Sequence, residues 1–108
     1  MKGTIKSKAD IEDMFKCGKH VSTKGILFIL LPERSERGRH GRVAFIAGKK
    51  IGNAPARNRC KRIMRHAAVV AGAPWDGLDV VMVARKPLER MEFEQIVEDC
   101  RNVAIKGI

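Results

Sequence analysis

Residues 43–71 read VAFIAGKKIGNAPARNRCKRIMRHAAVVA, and the change of rhythm inside this stretch decides the fold. VAFIA, at 43–47, is a short apolar run with the character of a strand, and the cluster Gly48, Gly52 and Asn53 breaks it. Asn53 is a good helix N-cap because its side chain can accept an orphan backbone N–H. Pro55 suits the first helical turn, where its missing N–H has no intrahelical acceptor. A helix is therefore predicted over 54–71. Cys60, Ile63, Met64, Ala67 and Ala71 share one face at helical spacing, while Arg59, Lys61, Arg62 and Arg65 fall on the remainder. One face packs and the other is cationic.

Upstream, Ser7 and Asp10 form a capping signal, and Ile11, Met14 and Phe15 recur at i, i+3, i+4 before Gly18 stops the run, which predicts a helix over 7–17. ILFILL, at 26–31 and ended by Pro32, is too short for a buried helix and reads as a strand covered on both faces. Residues 33–41 are polar and rich in Gly and Arg, which predicts a mobile loop. Downstream, Gly72, Pro74 and Gly77 mark a loop, with Trp75 capping the core there. LDVVMVA at 78–84 is a third strand, and Phe93, Ile96, Val97, Cys100 and Ala104 form the buried stripe of a last helix. The predicted fold is a single α/β domain over 1–108, a sandwich of one mainly antiparallel sheet packed with helices, in the order α-β-β-α-β-α.

A chain of 108 residues supports one domain, and at this size folding buries about 65% of the unfolded surface, enough for a core at 44% hydrophobic content. No window approaches the roughly 18 apolar residues of a membrane span, and the charged start is followed by acidic amphipathic sequence in place of a signal-peptide core. A cytoplasmic location with no membrane partner is expected. Residues 34–65 hold eleven Lys and Arg against the single acid Glu36, so this block carries the whole net charge of +10. A surface built for solubility alone would intersperse both signs, so focused charge points to a polyanion.

Cys17, Cys60 and Cys100 are odd in number and lack metal-ligand spacing, which excludes a disulfide framework and a zinc site. Cys60 and Cys100 sit on apolar helical stripes and read as small hydrophobes. His20, His40 and His66 are too scattered to ligate metal. Glu89, Glu92, Glu94, Glu98 and Asp99 read as a solvated face that should lie away from a nucleic acid. An autonomous nuclease would need convergent carboxylates or His pairs to hold metals, and none is visible.

The segment KKIGNAPARNRCKRIMR, at 49–65, offers what phosphate oxygens accept: a helix N-terminus, Arg forks and Lys point charges. Its order, with the RNR signature at Arg57, Asn58 and Arg59 followed by Lys61, Arg62 and Arg65, resembles the protein subunit of bacterial ribonuclease P. The resemblance runs over nearly the whole chain, including the opening helix with Phe15 and Gly18 and the strand DVVMVARKP at 79–87.

That resemblance implies a small basic cofactor of a catalytic RNA, monomeric in a 1:1 complex, which together with the RNA removes the 5′ leader of precursor tRNA. It implies that Lys49, Lys50, Asn53, Arg57, Asn58, Arg59, Lys61, Arg62 and Arg65 bind RNA, and that Phe15 and Phe28 line a leader cleft between the first helix and the sheet. Mg²⁺ would belong to the RNA, with no catalytic residue and no metal ligand on the polypeptide. It also implies a fold like a domain of a small-subunit ribosomal protein, with a left-handed β-α-β crossover, where physics alone favours the right hand. The chain departs from the family at Ile46 and Gly48, where small hydroxyl residues are common, and in having no Tyr. A ribosomal-type structural RNA-binding protein is the alternative.

Overall fold

The computed structural model describes residues 4–5, 8–32 and 41–107. Helix α1 spans Lys8–Cys17 and is followed by strands β1 (Lys19–Ser22) and β2 (Ile26–Pro32). Strand β3 (Val43–Ile46) leads through a 3-10 turn, Lys49–Ile51, into helix α2 (Ala54–Val70). Strand β4 (Leu78–Ala84), a second 3-10 turn at Lys86–Arg90 and helix α3 (Phe93–Gly107) follow.

The predicted order needs one correction, the extra strand β1. Its single apolar residue is Val21 and three of its four positions are exposed, so neither alternation nor an apolar run announces it. It forms an edge of the sheet, where polar side chains discourage pairing with other chains. The capping signal at Ser7 and most of the predicted loop at 33–41 lie outside the described residues. Gly41, at the end of that loop, is buried, and a Cβ there would run into the carbonyl oxygens of Trp75 and Leu78.

The sheet order is β1-β2-β4-β3, with β1/β2 and β2/β4 antiparallel and β3/β4 parallel. Helix α2 makes the crossover that the parallel pair requires. Strand alternation then sorts the side chains. Ile26, Phe28 and Leu30 of β2 and Leu78, Val80 and Met82 of β4 face Cys60, Met64, Ala67 and Ala68 of α2 and Ile96, Val97 and Cys100 of α3. Ile29, Val81 and Ala44 point the other way, toward Met14 of α1 and Ile5. The sheet is therefore the middle of three layers, as a run apolar on both faces predicts. Gly18 ends α1 against the sheet: its N–H donates to the Met14 carbonyl at 2.7 Å, and a Cβ would lie 2.6 Å from the Ile29 side chain.

Trp75 packs on the larger core and its indole N–H donates to the Ala71 carbonyl at 3.3 Å, closing the end of α2. Cys60 and Cys100 are buried, and burial pushes the Cys60 thiol up and the Cys100 thiol up to about 12, so both pack as neutral side chains at neutral pH. No helix among the described residues is long and apolar enough to cross a membrane.

Among the described residues the one buried charged side chain is Asp79, 0% exposed in the middle layer. Its carboxylate accepts the backbone N–H of Arg42 and that residue's Nη2, both at 3.0 Å, while Nη1 of Arg42 donates to Asp10 of α1 at 3.1 Å. Arg42 thus fastens the opening helix to the sheet. Removing one partner of a buried pair strands the other charge, whereas a half-exposed partner is replaced by water. Asp79→Ala is expected to lower stability by about 3 kcal/mol or more, and Asp10→Ala by less than about 1 kcal/mol, in urea denaturation. Equal losses in the two variants would remove Asp79 from its central role.

Candidate nucleic-acid interface

Helix α2 starts as its sequence demands. Asn53 Oδ1 accepts the Ala56 N–H at 3.0 Å, with Pro55 in the first turn. That cap occupies the carbonyl oxygen of Asn53 and leaves its NH₂ as the group able to meet RNA. Gly52, at φ +142°, makes the sharp turn that separates the cap from the preceding 3-10 turn, a conformation other residues rarely adopt.

With Cys60, Met64, Ala67 and Ala68 seated on the sheet, the remaining positions divide between two flanks and a ridge. Arg57, Lys61 and Arg65, four residues apart, run along the flank beside β3, and the Arg65 guanidinium lies 5.8 Å from the centre of the Phe45 ring. Asn58 and Arg62 form the exposed ridge. Lys49 and Lys50 are exposed just before the helix. None of these six cations has a carboxylate partner among the described residues, and α2 has no acid in its first turn to offset the partial positive charge there.

Arg59 is different. It occupies the opposite flank, where its Nε and Nη2 both donate to Oε2 of Glu89 at 3.2 Å. The expectation that the acidic group lies away from the cationic surface is corrected for Glu89, which the turn after β4 delivers to the RNR segment. Arg42 is likewise spent on the fold, so two of the cations in the basic block are neutralised within the protein. These pairs join residues 30 and 37 positions apart, which no local pattern reveals.

The two phenylalanines part company. Phe15 is 40% exposed on α1, with its ring edge-on to His20 at 6.3 Å. Phe28 is 1% exposed and faces α2 and α3, on the far side of the sheet from α1. It is a core residue and lines no cleft. ILFILL gives no alternation, so its sequence leaves open which residues turn to which face. The pairing register settles it: Leu27, Ile46 and Val83 form a half-buried apolar row across β2, β4 and β3 on the α1 face. Arg85 stands one alternation beyond Val83, its N–H donating to the Gly25 carbonyl and its Nη1 to the Thr23 carbonyl, so a cation closes that row. These residues, and not Phe28, lie on the face of the sheet that α1 covers.

The ribonuclease P family model matches residues 2–106. The chain is similar to the ribonuclease P protein component of Streptococcus pyogenes serotype M5, at 32% identity over 99 residues that cover 92% of this chain and 81% of that one. A solved structure of the Staphylococcus aureus RNase P protein superposes with a TM-score of 0.77 at 26% identity, covering 98% of this chain and 94% of the other. A second, of a Staphylococcus aureus RNase P protein mutant with defective mRNA degradation activity, gives 0.77 at 25% identity over 96% and 86%. Sequence likeness along almost the full length and the same fold agree with the cationic helix seen here, and the chain belongs to the ribonuclease P protein family.

Proposed function

We propose that this protein assembles as a monomer, 1:1, with the catalytic RNA of ribonuclease P in the cytoplasm and helps it remove the 5′ leader of precursor tRNA. The observation that carries the reading is the set Lys49, Lys50, Arg57, Lys61, Arg62 and Arg65, none of which is spent on an ion pair among the described residues. Buried or paired cations would serve stability, whereas unpaired ones gathered on one helix repel each other until a polyanion arrives. Asn53, Asn58 and Arg59 complete the proposed contact with the catalytic RNA. Arg59 reaches a phosphate only in competition with Glu89.

The leader is proposed to lie on the α1 face, where Phe15 offers a flat exposed ring on α1, Leu27, Ile46 and Val83 an apolar row on the sheet, and Arg85 charge at the end of that row. Stacking on an exposed ring is tolerant of sequence, as a variable leader requires. This open face favours a substrate-binding role over a purely structural one. The protein's part is to neutralise phosphates and orient the leader while the RNA performs the hydrolysis. Mg²⁺ is proposed to be held by the RNA. Glu89 is taken by Arg59, Asp10 and Asp79 by Arg42, and no group of three or more His, Cys, Asp or Glu side chains gathers among the described residues.

Six phosphate contacts give a log–log dependence of affinity on salt with a slope of about −5, and Arg62→Ala is expected to flatten it by about one while leaving the thermal melt in place. A slope near zero for the parent protein would overturn the electrostatic reading. Phe15→Leu is expected to fold normally and assemble with the RNA, yet to lose preference for precursor over mature tRNA. Phe28→Leu is expected to lower stability by about 1 kcal/mol without that loss. Equal loss of precursor and mature tRNA affinity in Phe15→Leu would remove it from the leader site. Purified protein without RNA is expected to leave precursor tRNA intact, and cleavage that co-purifies with the protein through successive columns and disappears in Arg62→Ala would refute the division of labour.

A further inference from the structure

A separate cavity of about 740 Å³ opens at the end of the sheet where β2 begins and β3 and β4 finish. Three turns distant in sequence build it: Lys24 comes from the β1–β2 turn, Ile51 from the turn before α2, and Lys86, Glu89, Arg90 and Met91 from the segment after β4. Glu89 is the one carboxylate in this lining, and it is engaged by Arg59 of α2. Lys24, Lys86 and Arg90 are therefore left around one concavity with no carboxylate partner among the described residues. All three are exposed, whereas Ile51 and Met91 are half-buried against the core and give the cavity an apolar wall.

We propose that this cavity is a second RNA site that takes one unpaired nucleotide, with its phosphate among Lys24, Lys86 and Arg90 and its ribose and base against Ile51 and Met91. Three uncompensated cations around one opening disfavour a metal ion and favour an anion. The volume argues for a nucleotide turned inward, because a concavity of this size accommodates a base while the rounded flank of a duplex would touch only the rim. Since Glu89 belongs both to the cavity and to the Arg59 ion pair, the site adjoins the RNR segment, and a strand lying along the first half of α2 can run directly into it. The proposal rests on the reading of this protein as a ribonuclease P component, and it adds a site outside both the RNR helix and the α1 face. The nucleotide could come from the catalytic RNA or from the precursor leader, which share this chemistry.

The test compares the parent with Lys24→Ala/Arg90→Ala and with Lys19→Ala/Lys106→Ala. The second pair removes the same charge from a cavity at the opposite end of β2. Transcribed bacterial ribonuclease P RNA, precursor tRNA and mature tRNA serve as probes, and thermal melts confirm folding. Lys24→Ala/Arg90→Ala is expected to weaken binding about tenfold and to flatten the salt slope by about 0.7, as one lost single-strand phosphate contact requires, with Lys19→Ala/Lys106→Ala near parental. A loss in assembly with the catalytic RNA assigns the nucleotide to that RNA, and a loss confined to leader-bearing tRNA on the assembled complex assigns it to the leader. Equal weakening in both double variants reduces the effect to net charge and overturns the site. If Lys24→Ala/Arg90→Ala binds every probe like the parent while Arg62→Ala weakens assembly, the cavity proposal fails and the assigned function stands. If neither weakens any RNA, both fail.

Discussion

The seating of α2 on the sheet constrains everything else in this molecule. A parallel β3–β4 pair needs a crossover, and the crossover helix must bury a face against strands already full of Val, Leu and Met. Cys60, Ala67 and Ala68 are small enough to bring the helix axis close, and Met64 fills the gap between them. Once those four are fixed, helical geometry leaves Arg57, Asn58, Lys61, Arg62 and Arg65 no inward direction. The dense positive surface is thus a consequence of the packing, and substituting any of its four cations, Arg57, Lys61, Arg62 or Arg65, changes charge without opening the core.

The protein divides its cations by function. Arg42 secures α1 through Asp79 and Asp10, and Arg59 is shared between Glu89 and the proposed RNA surface. The other cations of the helix have no carboxylate partner among the described residues. Mutual repulsion among these groups works against the folded state, and RNA relieves it by replacing repulsion with phosphate contacts and released counterions. The acidic residues of α3 sit on another flank, where Gln95 bonds Asp99 at 2.9 Å and Arg101 approaches Glu98 at 3.7 Å. The charge is segregated by element, so the focused field over α2 survives.

Much of this was legible because it is local. Asn53 with Pro55 announces the start of α2, the 3.6-residue spacing of Cys60, Met64 and Ala67 gives its buried face, and LDVVMVA reads as a strand. What escaped was either too polar or too distant. KHVS has one apolar residue and draws its identity as a strand from pairing with β2. In ILFILL every residue is apolar, so only the register separates Phe28, in the core, from Leu27, on the α1 face. The Arg42–Asp79 and Arg59–Glu89 pairs, like the meeting of Lys24 with Arg90, depend on tertiary folding that brings separate turns together. The cationic helix was legible because it is one contiguous segment, whereas the place of Phe28 was not, because the face it turns to is set by several segments together.

The strand β3 explains how two surfaces on opposite faces of a sheet can serve one RNA complex. It is the edge strand opposite β1, and among the described residues the chain at Thr4 and Ile5 pairs with its beginning, the Ile5 N–H donating to the Val43 carbonyl at 2.8 Å. Farther along, Phe45 faces α2 and lies under Arg65, while its neighbour Ile46 faces the α1 side and joins the row with Leu27 and Val83. Adjacent residues of one strand therefore belong to the two proposed RNA surfaces, and Lys49 and Lys50 follow immediately where β3 leaves the sheet. A strand of RNA passing from the leader face to the cationic helix needs to turn only around this short edge. The alternation of a single β-strand, which sends successive side chains to opposite faces, is what brings the two proposed RNA surfaces within reach of each other on so small a protein.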